Sequence, residues 1–139
     1  MLEIKNLTKT YPNGKKAVSN LSMTIEDGDL FGFIGKNGAG KTTTLKACLT
    51  IHDFDSGDIL LNGISIKTAP TECKRKMAYV PDSPILETYL TGLQYLNFIC
   101  DIYGVPTHTR KKRIYDLSER LGMSDKLNDL ISSYSHGMK

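Results

Sequence analysis

The sequence predicts an α/β fold that begins with antiparallel β-hairpins and ends in helices. Two Asn-Gly pairs, at 13–14 and 62–63, each separate two segments of strand character, which is the strongest short-range signal for a hairpin. Between them, a nearly continuous apolar run at 30–34 leads into a glycine-rich loop and then into a helical segment. Beyond residue 90, apolar residues recur every three or four positions, which is the helical period.

Composition and charge limit the classes of protein to consider. The chain has 139 residues, enough for one domain of ordinary size, and its 40% hydrophobic and 24% charged residues are typical of a globular protein. A net charge of +3 is too small to indicate a nucleic-acid partner by itself. Three widely spaced cysteines form neither a disulfide framework nor a zinc pattern. We therefore expect a soluble protein of a reducing compartment, with any membrane role supplied through a partner.

The first part of the chain is predicted to consist of strands. Residues 2–34 have strand character, and the first Asn-Gly pair predicts a two-residue hairpin turn between 8–11 and 17–25, since both residues tolerate a positive φ. The run at 30–34 is apolar at nearly every position, which is typical of a strand covered on both faces.

The middle of the chain is predicted to alternate between helices and strands. A helix is expected over 41–51, because two leucines four residues apart share one face. The second Asn-Gly pair predicts a hairpin that joins 58–61 to 64–66. A short helix over 71–76 and a strand over 77–80, stopped by a proline, are expected to follow.

The last third is predicted to be helical. One helix is expected to start at its cap, Thr91, and to run to 103, where Gly104 terminates it. A second is expected over 109–121, with a glycine at its end, and a short third over 125–131.

Residues 35–42 carry the phosphate-binding loop pattern, in which two glycines five positions apart precede Lys-Thr. Glycines let the backbone turn and let its N–H groups approach a polyphosphate, and the following helix adds the positive end of its dipole. Lys41 supplies a charge for the outer phosphates, and the Thr42 hydroxyl can bind Mg²⁺. The predicted phosphate-binding residues are Gly35, Lys36, Asn37, Gly38, Ala39, Gly40, Lys41, Thr42 and Thr43. The loop alone leaves a GTPase, a nucleotide kinase and a transport ATPase open.

Three further segments, together with the loop, resemble the nucleotide-binding domain of ABC transporters over the whole chain. The first, 2–11, is similar to the first strand of that family and ends at its adenine-stacking aromatic, here Tyr11. Stacking on a base contributes about 1–3 kcal/mol and tolerates any base. An ordinary strand tyrosine is the structural alternative, and the position before the Asn-Gly turn favours stacking.

The second segment, 79–82, is similar to the Q-loop of the family, where Asp82 stands in place of the usual glutamine. The resemblance implies that this residue touches the metal and the attacking water. A carboxylate is a good ligand for Mg²⁺. The structural alternative is an aspartate that caps a turn after Pro81.

The third segment, 132–139, resembles the ABC signature motif in the spelling typical of the exporter branch. The resemblance implies that Ser135 and the N–H of Gly137 donate to the γ-phosphate held by a second subunit. His136 stands where the family more often has glycine.

The resemblance implies a P-loop NTPase core with an antiparallel β part over 1–84 and a helical subdomain over 85–139. It implies ATP and Mg²⁺ as cofactors, with Lys41 and Asp82 as catalytic residues and Thr42 and Asp82 as metal ligands. The implied partners are transmembrane permease subunits and a second nucleotide-binding domain, without nucleic acid. The implied location is the cytoplasmic face of the cell membrane, and the implied function is ATP-driven transport, with export favoured.

The resemblance also implies that part of the catalytic machinery is missing from these 139 residues. In the family, the magnesium-binding aspartate, the catalytic glutamate and the switch histidine follow the signature motif. We therefore expect the N-terminal part of a longer ATPase, cut before the later core strands and inactive alone. The alternative is a truncated module that binds ATP without turnover. The basic run at 110–113 is interpreted as a solvated helix face.

Overall fold

The computed structural model describes residues 1–139, which divide into two units, Met1–Tyr79 and Val80–Lys139. The N-terminal unit contains β1 (Leu2–Thr10), β2 (Lys16–Ile25), α1 (Lys41–Cys48), β3 (Ser56–Leu61), β4 (Ile64–Ser65) and α2 (Pro70–Lys74). The C-terminal unit contains α3 (Gly92–Ile102), α4 (Thr107–Arg120) and three short 3-10 helices at Ser124–Lys126, Ile131–Ser133 and His136–Met138. None of these helices combines the length and the apolar character needed to cross a bilayer.

The four strands form one antiparallel sheet in the order β2-β1-β3-β4. Both hairpins are present. In the second, Asn62 and Gly63 have φ of 50° and 78°, the pair of positive values that a two-residue turn requires. The first connection is longer than predicted, because only Gly14 has a positive φ there. The turn closes over five residues, with the Tyr11 N–H donating to the Lys15 carbonyl at 2.9 Å.

The core of the N-terminal unit lies between one face of the sheet and the two helices α1 and α2. Leu7 and Ile59 of the sheet are fully buried. The buried apolar residues of this cluster are Ile4, Leu7, Val18, Ala47, Cys48, Ile59, Ile66 and Cys73. Burial raises the pKa of the Cys48 thiol on α1 from 9.0 to about 11, because the thiolate would be desolvated there.

An irregularity in β1 brings two core residues to the same face of the sheet. Ile4 and Leu7 are three positions apart, so a regular strand would point them to opposite faces. The register shifts between them, where Asn6 has a φ of 52°. Gly57 of β3 faces this bulge with a φ of 92°, and a Cβ there would lie 2.4 Å from the Lys5 carbonyl oxygen. The sheet therefore requires glycine at this position.

Both main helices of the C-terminal unit begin and end close to the predicted positions. Thr91 and Gln94 form a capping box at the start of α3, with the Gln94 N–H donating to the Thr91 hydroxyl at 3.2 Å. Gly104 and Gly122 follow the two helices with φ of 64° and 65°. The C-terminal unit has its own small core, formed by Ile114, Leu127 and Ile131.

The short helix expected over 125–131 is wrong, because this segment bonds to another part of the chain. The Ile131 N–H donates to the Leu90 carbonyl at 2.9 Å, and the Gly92 N–H donates to the Asp129 carbonyl at 3.2 Å. Leu130 is extended and forms an isolated bridge with Thr91. Two 3-10 turns flank the extended residue, since the Asp129 carbonyl and the Ile131 N–H on either side of it are bonded across this bridge.

The predicted strands at 30–34 and 77–80 are also wrong, because neither segment pairs with another strand. Leu30 and Ile34 are almost fully exposed rather than covered on two faces. A strand needs a neighbour for its N–H and C=O groups, and the four strands of the sheet pair among themselves. Helix α1 ends at Cys48, earlier than expected, because Thr50 adopts a φ of 53°.

Replacing Gly57 with alanine is expected to destabilise the N-terminal sheet strongly. The new Cβ would combine a disfavoured φ with a backbone clash, at a cost of at least about 3 kcal/mol. Gly63→Ala is the matched control, because Gly63 has a similar φ and no atom within 4 Å of its Cβ position, and should cost about 1–2 kcal/mol. Urea midpoints of both variants measure the difference. Equal midpoints would contradict the clash.

The buried thiol of Cys48 is expected to make stability fall above pH 9. Its folded-state pKa is raised, so its stabilising contribution is complete below 9.0 and is lost as the pH rises towards about 11. At pH 10.5 the loss attributable to this thiol is about 2 kcal/mol. Urea unfolding of the chain and of Cys48→Ala at pH 8 and 10.5 isolates the contribution of this thiol, since the two proteins differ only at residue 48. An identical pH dependence of the two proteins would refute the assignment.

Candidate functional site

The glycine-rich loop joins the exposed segment after β2 to the first residue of α1. Gly38 and Gly40 have φ of 82° and 87°, which lets the chain turn back on itself before the helix begins. At Gly40 a Cβ would lie 2.2 Å from the carbonyl oxygen of Ala17 on β2. The start of α1 therefore packs directly against the backbone of the sheet, and only glycine permits this approach.

The backbone N–H groups of the loop are largely free to bind a ligand. Among the amides of residues 35–43, only that of Ala39 donates a hydrogen bond within the chain, to the Lys36 carbonyl at 3.1 Å. The first turn of α1 contains no acidic residue, and Gly40 provides no side-chain cap. Free amides at a helix N-terminus form a binding site for anions, so this loop is suited to a phosphate group.

Lys41 lies over the loop that precedes it. Its ammonium donates to the carbonyl oxygens of Gly35 at 2.5 Å and Lys36 at 2.9 Å. The loop thus curls around this positive charge. Lys36, Asn37 and Ala39 of the loop are exposed.

The three threonines that follow Lys41 have different environments. Thr42 is exposed at the start of α1, where its hydroxyl is accessible to a ligand. Thr43 and Thr44 are buried, and the Thr44 hydroxyl donates to the Gly40 carbonyl at 2.9 Å. The Thr43 hydroxyl lies 3.0 Å from the hydroxyl of Tyr11. Thr43 therefore contributes a structural contact here and Thr42 the free oxygen.

Tyr11 lies beside the start of α1, close to the glycine-rich loop. It follows the last residue of β1, is half-buried, and is held by its hydroxyl against Thr43. The same turn carries Lys15, which the sequence analysis did not single out. Its ammonium lies close to Gly38 of the loop. No sequence pattern indicates this contact, because it depends on how the turn folds onto the loop.

The three remaining candidates belong to the C-terminal unit. Asp82 is exposed in an irregular segment and makes no hydrogen bond or ion pair within the chain. Ser135 and Gly137 are also exposed. Ser135 precedes the last 3-10 helix, and its carbonyl accepts from the Met138 N–H at 3.1 Å. The structure thus groups Tyr11 with the phosphate loop in one unit, and Asp82 with the signature segment in the other.

A buried contact fixes the start of the signature segment. The Tyr134 hydroxyl donates to the Lys126 carbonyl at 2.6 Å. Partial burial and the nearby Asp129 carboxylate raise the pKa of this phenol, so it remains a donor at neutral pH. A Cβ at Gly92 would lie 2.2 Å from the same hydroxyl oxygen, so glycine at the start of α3 makes room for it.

The chain contains no cluster of three or more His, Cys, Asp or Glu side chains that could hold a metal ion. Mg²⁺ in proteins keeps several waters and binds through substrate phosphates and only one or two protein oxygens. The exposed hydroxyl of Thr42 is such an oxygen beside the free amides.

Comparison with known proteins identifies the family. The family model described as ABC transporter matches residues 18–139. The uncharacterized ABC transporter ATP-binding protein YhcH of Bacillus subtilis is 34% identical over 140 residues, covering 100% of this chain and 44% of that protein. The SkfA peptide export ATP-binding protein SkfE of the same organism is 32% identical, covering 100% of this chain and 57% of that protein. The chain thus spans about half the length of these curated relatives.

The fold of the chain also matches that of ABC transporter subunits. A solved structure described as the ATP-binding subunit of an ABC transporter superposes with a TM-score of 0.87 at 28% identity, covering 99% of this chain and 57% of that one. The predicted α/β class, with a P-loop NTPase core, N-terminal antiparallel hairpins and a helical part, is confirmed by this match. With matches of sequence and of fold over nearly its whole length, the chain belongs to the ABC transporter family, as an ATP-binding domain.

Proposed function

We propose that this chain is the nucleotide-binding part of an ATPase that couples ATP binding and hydrolysis to transport across a membrane. The observation that carries the proposal is the loop at 35–43, where free amides, a helix N-terminus and Lys41 converge. A polyphosphate satisfies all of these donors at once. Family membership selects ATP among the nucleotides.

The side chains of the proposed site have separate roles. The Tyr11 ring stacks on adenine, while its hydroxyl stays on Thr43. Lys41 neutralises charge on the transferred phosphoryl group, and Thr42 and Asp82 bind Mg²⁺. The exposure of Thr42 and Asp82, and their lack of other partners, support these roles.

The proposed working unit is a dimer on membrane subunits. Residues 1–84 form the ATP-binding core, and residues 85–139 form the helical part that contacts permease subunits at the cytoplasmic face of the membrane. Ser135 and the N–H of Gly137 donate to the γ-phosphate held by a second copy. Their exposure supports this role, because a donor to another subunit must be accessible in the single chain.

Export is the proposed direction of transport. One relative is named as a peptide export ATP-binding protein. Asp82 and the spelling of the signature segment, Tyr134-Ser135-His136-Gly137-Met138, resemble the exporter branch of the family.

A module that binds ATP without hydrolysing it is the second candidate. It is favoured by the geometry of the loop, because free amides and the Lys41 ammonium bind phosphate whether or not hydrolysis follows. Steady-state phosphate release separates the two functions. Release that disappears on Lys41→Ala supports the ATPase, and saturable ATP binding without release supports the module.

Replacing Lys41 with alanine is expected to weaken ATP binding by about 10- to 100-fold, since a hydrogen bond to a charged group contributes about 1.5–3 kcal/mol. Titration with a fluorescent ATP analogue in the presence of Mg²⁺ measures the change. Lys16→Ala is the matched control, because Lys16 is an exposed lysine at the start of β2 whose ammonium makes no ion pair or hydrogen bond within the chain. The affinity of this control variant for ATP should stay within about threefold of that of the parent chain. Unchanged binding in Lys41→Ala would overturn the phosphate assignment.

Two substitutions of Tyr11 are expected to separate its ring from its hydroxyl. Tyr11→Phe keeps the stacking face and should bind ATP like the parent, while losing about 1 kcal/mol of stability with the contact to Thr43. Tyr11→Ala should lose about 5- to 150-fold in affinity with the stacking energy of about 1–3 kcal/mol. Nucleotide titration and urea unfolding measure the two effects. Equal affinities of the two variants would exclude stacking.

A further inference from the structure

Lys15 brings a second ammonium group to the phosphate loop. It lies in the turn between β1 and β2, and a Cβ built at Gly38 would be 3.9 Å from its Nζ atom. The side chain is exposed, and its ammonium makes no ion pair and no hydrogen bond within the chain. A free cation therefore stands over the middle of the loop.

Contacts of the turn fix the backbone that carries this side chain. The Lys15 carbonyl accepts from the Tyr11 N–H at 2.9 Å, and the Lys15 N–H donates to the Asn13 side chain at 3.1 Å. Tyr11 in turn is bonded to Thr43 on α1. Two residues beyond Lys15, the Ala17 carbonyl meets Gly40 at the end of the loop. Lys15 thus lies between two points at which its segment contacts the loop and helix.

No ion pair compensates the charge of Lys15, and Asp55, which accepts from the Thr10 N–H just before the turn, lies 3.9 Å from the Lys9 ammonium instead. No Asp or Glu occurs within 11–25 or within 30–52, the segments that form the turn, the loop and α1. Lys41 differs from Lys15, because its ammonium is already engaged by two loop carbonyls. The Lys15 ammonium lies near Gly38, whose N–H is one of the free amides of the loop, so an anion held by these amides would also meet this charge.

We propose that Lys15 is a second phosphate-binding lysine, whose ammonium binds an oxygen of the nucleotide's phosphate chain beside Gly38 of the loop. The inference rests on the proposed function, since it requires the loop to hold a nucleotide. Lys15 is then a specificity residue for phosphate charge. The contribution of Lys15 to the binding free energy of the nucleotide grows with the number of phosphates, whereas the contribution of Tyr11 depends on the base alone.

The test compares four proteins by titration with fluorescent ATP and ADP analogues: the parent chain, Lys15→Ala, Lys15→Arg and Lys16→Ala. Lys16 is the matched control, because it is the neighbouring exposed lysine at the start of β2. Lys15→Ala should lose about tenfold in ATP affinity and about threefold in ADP affinity. Lys15→Arg should bind both nucleotides within about twofold of the parent, and so should Lys16→Ala. Thermal midpoints should be equal, since only an exposed side chain changes.

Three other results would overturn the inference about Lys15. Equal losses of nucleotide affinity in Lys15→Ala and Lys16→Ala would show that the effect comes from net charge and not from a phosphate contact. That result would overturn the inference and leave the proposed function standing. Equal losses for ATP and ADP would point to the base or to the turn and also overturn it. If the parent chain binds neither nucleotide, the proposed function fails and the Lys15 inference fails with it.

Discussion

The contact between Gly40 and the Ala17 carbonyl is the constraint on which the site depends. A Cβ at position 40 would lie 2.2 Å from that oxygen, so only glycine lets α1 begin directly on the backbone of β2. This contact sets the height of the helix N-terminus above the sheet. It also brings the turn that carries Tyr11 and Lys15 to the same end of α1, where the free amides are. One backbone approach therefore assembles donors from two distant segments.

Helix α1 is stable in this position because its two faces have different environments. Thr43, Thr44, Ala47 and Cys48 are buried against the sheet, whereas Thr42 remains exposed beside the loop. The helix has only eight residues, too few to be stable by intrinsic propensity. Packing on the core must therefore hold it. The bulge at Asn6 and the glycine at 57, which bring the core residues of β1 to one face, thus support the binding site indirectly.

Features set by local chemistry were predictable from the sequence, and features set by distant partners were not. The second hairpin, the Thr91 cap and the glycine ends of α3 and α4 follow from the preferences of the residues involved. The phosphate loop also follows from its own spacing. The strands expected at 30–34 and 77–80 failed because strand formation requires a paired neighbour, which no local pattern specifies. The position of the Lys15 ammonium near Gly38 was not predictable either, because it depends on how the turn folds onto the loop.

Lys41 has two roles that compete. Its ammonium is bonded to the carbonyls of Gly35 and Lys36, which closes the N-terminal half of the loop. That half follows the exposed segment 30–34 and has no strand to hold it, whereas Gly40 anchors the other half. These carbonyls take two of the three ammonium hydrogens, so a phosphate that accepts more than one hydrogen bond from Lys41 must displace a carbonyl, and part of the ion attraction offsets that loss. An ammonium without such bonds, as at Lys15, has no equivalent loss, which makes it an effective second charge for the same anion.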